Sequence, residues 1–223
     1  MPRVVSVSRP EVHTITMDEV IALCGGKSEV FADPKDAPGA VIFTPEGRGD
    51  LFQFIHWGEY HPNNLKEQQC IPVGYNCFDP VRNIPFIVVT ATLHLYCVRR
   101  SRANSALGDP HHQAMVEQQI TDEIACMNSI AAPEGREVGL RGNDQIAPIF
   151  RKLGKLSMVG KIHTHPQMDV FLSGTDKLGH VNGADFWVSM VANPQYKKLS
   201  AFGGKAARAC TILFCDRAEE TEE

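Results

Sequence analysis

Short apolar runs separated by polar turns dominate the chain, and the longest of them is an alternating run at residues 86–98. Within it Ile87 and Val89 would lie on one face and Thr90 and Thr92 on the other, which is the period-two pattern of a strand. Shorter apolar runs predict further strands at residues 40–43, 70–75, 158–162, 186–192, 199–202 and 211–214.

Four other segments favour helices, although the second could also be read as a strand: residues 16–24, 50–57, 113–130 and 144–153. The first has clear ends, because Thr16 is a good N-cap, Glu19 completes a capping box and Gly25-Gly26 is a stop signal. In the last helix Pro148 lacks an amide hydrogen and is well tolerated only in the first turn.

From about residue 67 the predicted strands and helices alternate, which predicts the α/β class, as a mixed sheet flanked by helices. We expect an N-terminal accessory segment at residues 1–60, which by default completes the sheet, a domain at residues 61–215, and a solvated acidic tail at residues 216–223.

Composition excludes several classes of function. The net charge is −4 and no basic run occurs, so we expect no nucleic-acid partner. No apolar stretch approaches the roughly 20 residues of a membrane span, and no apolar core of signal-peptide length follows the start, so we expect a cytoplasmic protein. The seven cysteines form no Cys-x-x-Cys pair, which favours buried free thiols over a disulfide framework.

The candidate chemistry lies in His-Thr-His-Pro at residues 163–166, which follows an apolar run. Side chains two apart on a strand point to the same side, so His163 and His165 can converge on one ion. Ser173 is a good N-cap and would place Asp176 at the third helical position. Two imidazoles and a carboxylate suit zinc and leave a fourth position open to water.

A histidine pair at a strand end is by itself compatible with two ordinary polar residues. The full order, His-Thr-His-Pro, six further residues and Ser-x-x-Asp, resembles the signature of the JAMM (MPN-plus) metalloproteases. Residues 159–166 are similar to the family's "GWIHTHP", residues 171–176 to its "FLSxxD", and residues 188–194 to the strand ending in proline that follows. The resemblance covers about residues 65–215.

The resemblance implies a cytidine-deaminase-like fold and a Zn²⁺ ion held by His163, His165 and Asp176. It assigns to Ser173 a hydrogen bond to the tetrahedral oxyanion. The family also uses an upstream glutamate in a pattern like Glu-x-x-Gly-x-Leu-x-Gly, which Glu67 matches best.

The match at Glu67 has two departures, Cys70 in place of a glycine and Pro72 in place of an apolar residue. Glu59 and Glu117 are the alternatives, but neither has a glycine seven residues later. A surface glutamate at a strand start is the plain interpretation of Glu67. As a general base, Glu67 would take a proton from water and return it to the leaving amine.

The function implied is zinc-dependent hydrolysis of peptide or isopeptide bonds at the C-terminus of ubiquitin or a ubiquitin-like protein. Partner proteins of the E1-like and E2-like kinds would accompany such a substrate. The alternatives are a non-catalytic MPN scaffold, and a peptidase of the same family acting on a sulfur-carrier protein or on a cell-wall or phage-tail peptide.

Other histidines are weaker candidates. Adjacent His111 and His112 would diverge on a loop, which disfavours a second metal site. His180 follows Asp176 by one helical turn, and we expect it at the rim of the site, solvated or as an indirect partner.

Overall fold

A computed structural model describes residues 11–60, 68–94, 110–131, 143–166, 168–181, 188–195 and 197–216. The strands are β1 Val12–Thr14, β2 Ser28–Ala32, β3 Ala40–Phe43, β4 Gln69–Asp79, β5 Ile84–His94, β6 Ser157–Met158, β7 Gly160–Thr164, β8 Val188–Asn193, β9 Lys198–Gly203, β10 Arg208–Ala209 and β11 Thr211–Cys215. The helices are α1 Met17–Leu23, α2 Pro45–Tyr60, α3 Pro110–Ala131, α4 Asn143–Leu153 and α5 Gly174–Val181. In this described part, no helix is both long and apolar enough to cross a membrane.

The described strands form one mixed sheet in the order β10-β9-β8-β7-β4-β5-β3-β11-β2, and both β1 and β6 pair with β4. The parallel pairs are β3 with β5, β3 with β11, β7 with β8, and β1 with β4. β3, from the N-terminal part of the chain, lies between β5 and β11. The expected mixed α/β class is confirmed, and strands from both sides of residue 60 share the sheet.

The core lies on both faces of this sheet. On one face α1 and α4 contribute to a buried cluster that includes Tyr75, Phe86 and Ile149. On the other face α2 contributes Leu51 and Phe54. β5 is therefore covered on both sides, and even Thr90 is fully buried. Ile87 and Val89 lie on one face, as predicted, and the opposite face with Thr90 is also buried, because a central strand has no solvent side.

Local signals predicted the start of α1 correctly. Thr16 caps α1, and the reciprocal bonds of the capping box with Glu19 are present.

The predicted strand at residues 158–162 is instead divided into β6 and β7, which pair with different parts of β4. Pro148 lies inside α4 rather than in its first turn. At Gly160 any Cβ would collide with the backbone carbonyl of Val188, so the close β7–β8 pairing requires glycine there.

Candidate metal centre

β7 carries the first histidine into the site, and the second follows directly after the strand. His163 is the fourth residue of β7 and pairs in register with Val191. The amide of His165 donates to the carbonyl of Ala192 at 2.8 Å, which extends the ladder by one residue. Thr164, between the two, accepts from the amide of Gln68 through Oγ1 at 2.8 Å. The two imidazoles consequently share one side, with Nε2 to Nε2 at 3.2 Å.

The start of α5 supplies the carboxylate. Ser173 precedes the helix and Asp176 is its third residue, as predicted. The Asp176 amide donates to Ser173 Oγ at 3.3 Å, and the Ser173 amide donates to Asp176 Oδ2 at 3.0 Å. The Ser173 hydroxyl also donates to Oδ2, at 2.6 Å. This reciprocal capping fixes the carboxylate beside the imidazoles, and it already engages the Ser173 hydroxyl.

The three side chains meet the geometric demand of a tetrahedral ion. Zinc–ligand distances of 2.0–2.1 Å place neighbouring donors about 3.3 Å apart. Here Nε2 to Nε2 is 3.2 Å, and His163 Nε2 to Asp176 Oδ2 is 3.5 Å. The candidate ligand atoms of His163, His165 and Asp176 all lie within 4.8 Å of one another, and all three residues are buried. This donor set fits a zinc ion.

The surroundings of Asp176 favour its ionised form, which is the form that binds a cation. Burial raises the pKa of Asp176, but hydrogen bonds from His163 and Ser173 outweigh this and hold the pKa well below its usual value. His165 Nδ1 lies 3.0 Å from the carbonyl of Asp169. Because a carbonyl only accepts, Nδ1 donates to it, and Nε2 is the ring nitrogen that faces His163.

A buried asparagine that the sequence analysis did not single out supports the segment after His165. Asn193, at the end of β8, donates through Nδ2 to the carbonyls of His165 at 2.7 Å and Met168 at 2.6 Å. Asn193 is a polar residue at the end of a buried apolar strand, and this position is the sequence signal that could have identified it.

The candidate general bases are not tested by the described geometry. Glu67 lies outside the described residues, and so do the side chains of Glu59 in α2 and Glu117 in α3. Gln68, next to Glu67 in the sequence, is hydrogen-bonded to Thr164 through both backbone groups. The side chains of His111 and His112 also lie outside the described part.

His180 is not at a solvated rim. It is buried, with Nδ1 3.0 Å from the hydroxyl of Ser189 and Nε2 2.8 Å from the carbonyl of Gly204. Because the Gly204 carbonyl only accepts, Nε2 carries the proton and Nδ1 accepts from Ser189. His180 therefore ties α5 to β8 and to the residue that follows β9. The solvated alternative is wrong, and the alternative of an indirect partner of the site stays a prediction.

An apolar cavity of about 540 Å³ lies between α2 and the turn that joins β8 to β9. Its lining includes Phe31, Phe52, Pro194, Lys198, Leu199 and Phe214. Pro194 directly follows Asn193, so the cavity wall continues from the strand end that supports His165.

Comparisons with known proteins give little further information. No family model matches the sequence, and no curated protein matches it. Among solved structures, the chain is similar to the solution structure of protein DSY2949 from Desulfitobacterium hafniense. The two share 13% sequence identity with a TM-score of 0.46, over 82% of this chain and 98% of that one.

Proposed function

We propose that the protein is a zinc-dependent metallopeptidase of the JAMM type, with the JAMM/MPN fold and with His163, His165 and Asp176 as metal ligands. The observation that carries the proposal is the convergence of these three buried donors at the spacing of a tetrahedral site. Buried histidine–aspartate groups are otherwise costly to keep together, and a bound cation offsets that cost.

In this proposal the metal ligands and Glu67 have different roles. Zinc in a site with an open position polarises a carbonyl and lowers the pKa of water to about 7. Glu67 is the proposed general base, which takes a proton from the attacking water and gives it to the leaving amine. Its sequence neighbour Gln68 is hydrogen-bonded through both backbone groups to Thr164, which lies between the two histidines.

In this proposal the Ser173 hydroxyl has two roles, because it donates to Asp176 in the structure and to the oxyanion during catalysis. Its hydroxyl now donates to Asp176 at 2.6 Å. Donation to an oxyanion during catalysis requires the hydroxyl to turn away from the carboxylate, whose backbone bond from Ser173 would remain.

The proposed substrate is the C-terminal tail of ubiquitin or a ubiquitin-like protein, in the cytoplasm and with E1-like and E2-like partners. Exposed apolar side chains near the ligands suit a protein substrate. Phe171 is 45% exposed and packs edge-on against His165, with ring centroids 5.3 Å apart. Met168 and Leu178 are exposed as well.

The test joins metal content to cleavage of a ubiquitin-like fusion protein. We expect His163→Ala to lose both zinc and cleavage, and Glu67→Ala to keep zinc but lose cleavage. His13→Ala, on β1 and outside the trio, is the matched histidine control and should keep both. Wild-type protein that holds no zinc and cleaves nothing after zinc addition would instead support the scaffold alternative. Normal cleavage by Glu67→Ala would refute that residue as the base.

A further inference from the structure

The buried side-chain amide of Asn193 donates to two backbone carbonyls in the segment that begins at His165. Asn193 Nδ2 donates to the carbonyl of His165 at 2.7 Å and to that of Met168 at 2.6 Å, and the residue is fully buried. The next carbonyl, that of Asp169, is the partner of His165 Nδ1 at 3.0 Å. The amide therefore acts on the group that fixes the orientation of the His165 ring.

A second contact reaches the same segment from the solvent side. Lys198 on β9 is the register partner of Asn193, and its Nζ lies 3.1 Å from Asp169 Oδ1. Both side chains of this ion pair are more than half exposed, at 52% and 66%. Exposed pairs contribute little, typically 0.2–1 kcal/mol, so the buried amide dominates.

We propose that Asn193 is a positioning residue that sets the affinity for the metal through His165, an inference that rests on the proposed zinc site. Without the Asn193 amide, the buried carbonyl of His165 and the part-buried carbonyl of Met168 lose this donor. A buried acceptor that loses a donor favours rearrangement of the backbone that bears it. The Asp169 carbonyl then no longer holds Nδ1, and His165 must be ordered by the metal itself. Loss of such an outer partner typically lowers metal affinity 10–100-fold.

Asn193→Leu is the decisive variant, and Asn76→Leu is its matched control. Asn76 is 3% exposed on β4, and its side-chain nitrogen and oxygen have no hydrogen-bond partner in the described part of the chain.

Zinc dissociation constants are measured by competition with a chromophoric chelator, and the visible spectrum of the cobalt-substituted protein reports ligand geometry. We expect a 10–100-fold weaker constant and an altered spectrum for Asn193→Leu only. Lys198→Met should weaken binding by no more than about fivefold.

The outcomes separate the two proposals. If the wild type binds no zinc, the proposed function fails and this inference fails with it. If the wild type binds zinc, and Asn193→Leu with a native circular dichroism spectrum binds it less than about fivefold more weakly, only the positioning role is refuted. An equal loss in Asn76→Leu would also refute it, because any buried asparagine would then matter. If Asn193→Leu does not fold, Asn193→Ser is judged by the same fivefold limit.

Discussion

Replacing Asp79 with asparagine should remove an acid-sensitive contribution to stability at the α1–β4 junction. The Asp79 carboxylate is fully buried and accepts from the amides of Met17 at 3.0 Å, Val81 at 2.9 Å and Arg82 at 3.0 Å. The Arg82 guanidinium also donates to it at 2.9 Å. Burial alone would raise the pKa of Asp79, but these bonds outweigh it and lower the pKa to about 2.

The magnitude follows from linkage. The pKa falls from an ordinary 3.8 to about 2, and each unit corresponds to about 1.4 kcal/mol, so the ionised carboxylate contributes about 2 kcal/mol. Because the folded pKa is the lower one, this contribution is fully present above about pH 4 and disappears as the pH falls through about 2. Arg82 is 42% exposed, so added salt should reduce the effect.

The assay is urea unfolding of wild type and Asp79→Asn at several pH values, in buffer containing a chelator. We expect the difference in the free energy of unfolding to shrink by about 2 kcal/mol between pH 6 and pH 2. Asp122→Asn, an exposed helix position whose side chain accepts from Gln118, is the control and should stay within about 0.5 kcal/mol at every pH. A difference between wild type and Asp79→Asn that does not change with pH would refute the reasoning.

Three further predictions concern the candidate metal centre and the strand that leads to it. Gly160→Ala should lower the free energy of unfolding by about 1–3 kcal/mol in urea, because its Cβ collides with the Val188 carbonyl; an unchanged midpoint would contradict this. Thr164→Val should cost about 1–3 kcal/mol in the same assay, since the Gln68 amide loses its 2.8 Å acceptor, and a neutral result would show that water replaces the hydroxyl. A chelator should lower the melting temperature of zinc-loaded wild type but not of His163→Ala, as calorimetry can measure; an equal response in both would remove His163 from the ligand set.

The positions of His163, His165 and Asp176 relative to their own strand and helix could be predicted from the sequence because their determinants are local. The step of two from His163 to His165 follows from strand geometry, and Ser173 places Asp176 through a cap three residues long. The same kind of short-range signal predicted the start of α1 at Thr16. Such patterns depend only on the conformation of residues that are neighbours in the sequence.

Features that depend on residues distant in the sequence were determined only by the tertiary structure. Burial of both faces of β5, the division of residues 157–164 into β6 and β7, and the buried bonds of His180 all arise from elements far away in the sequence. Asn193 belongs to the same group, because its two carbonyl partners lie 28 and 25 residues before it. The hydrophobic periodicity of the sequence does not predict contacts between such distant residues. The sequence by itself therefore determined which side chains can bind a metal, and the fold decided what holds them in place.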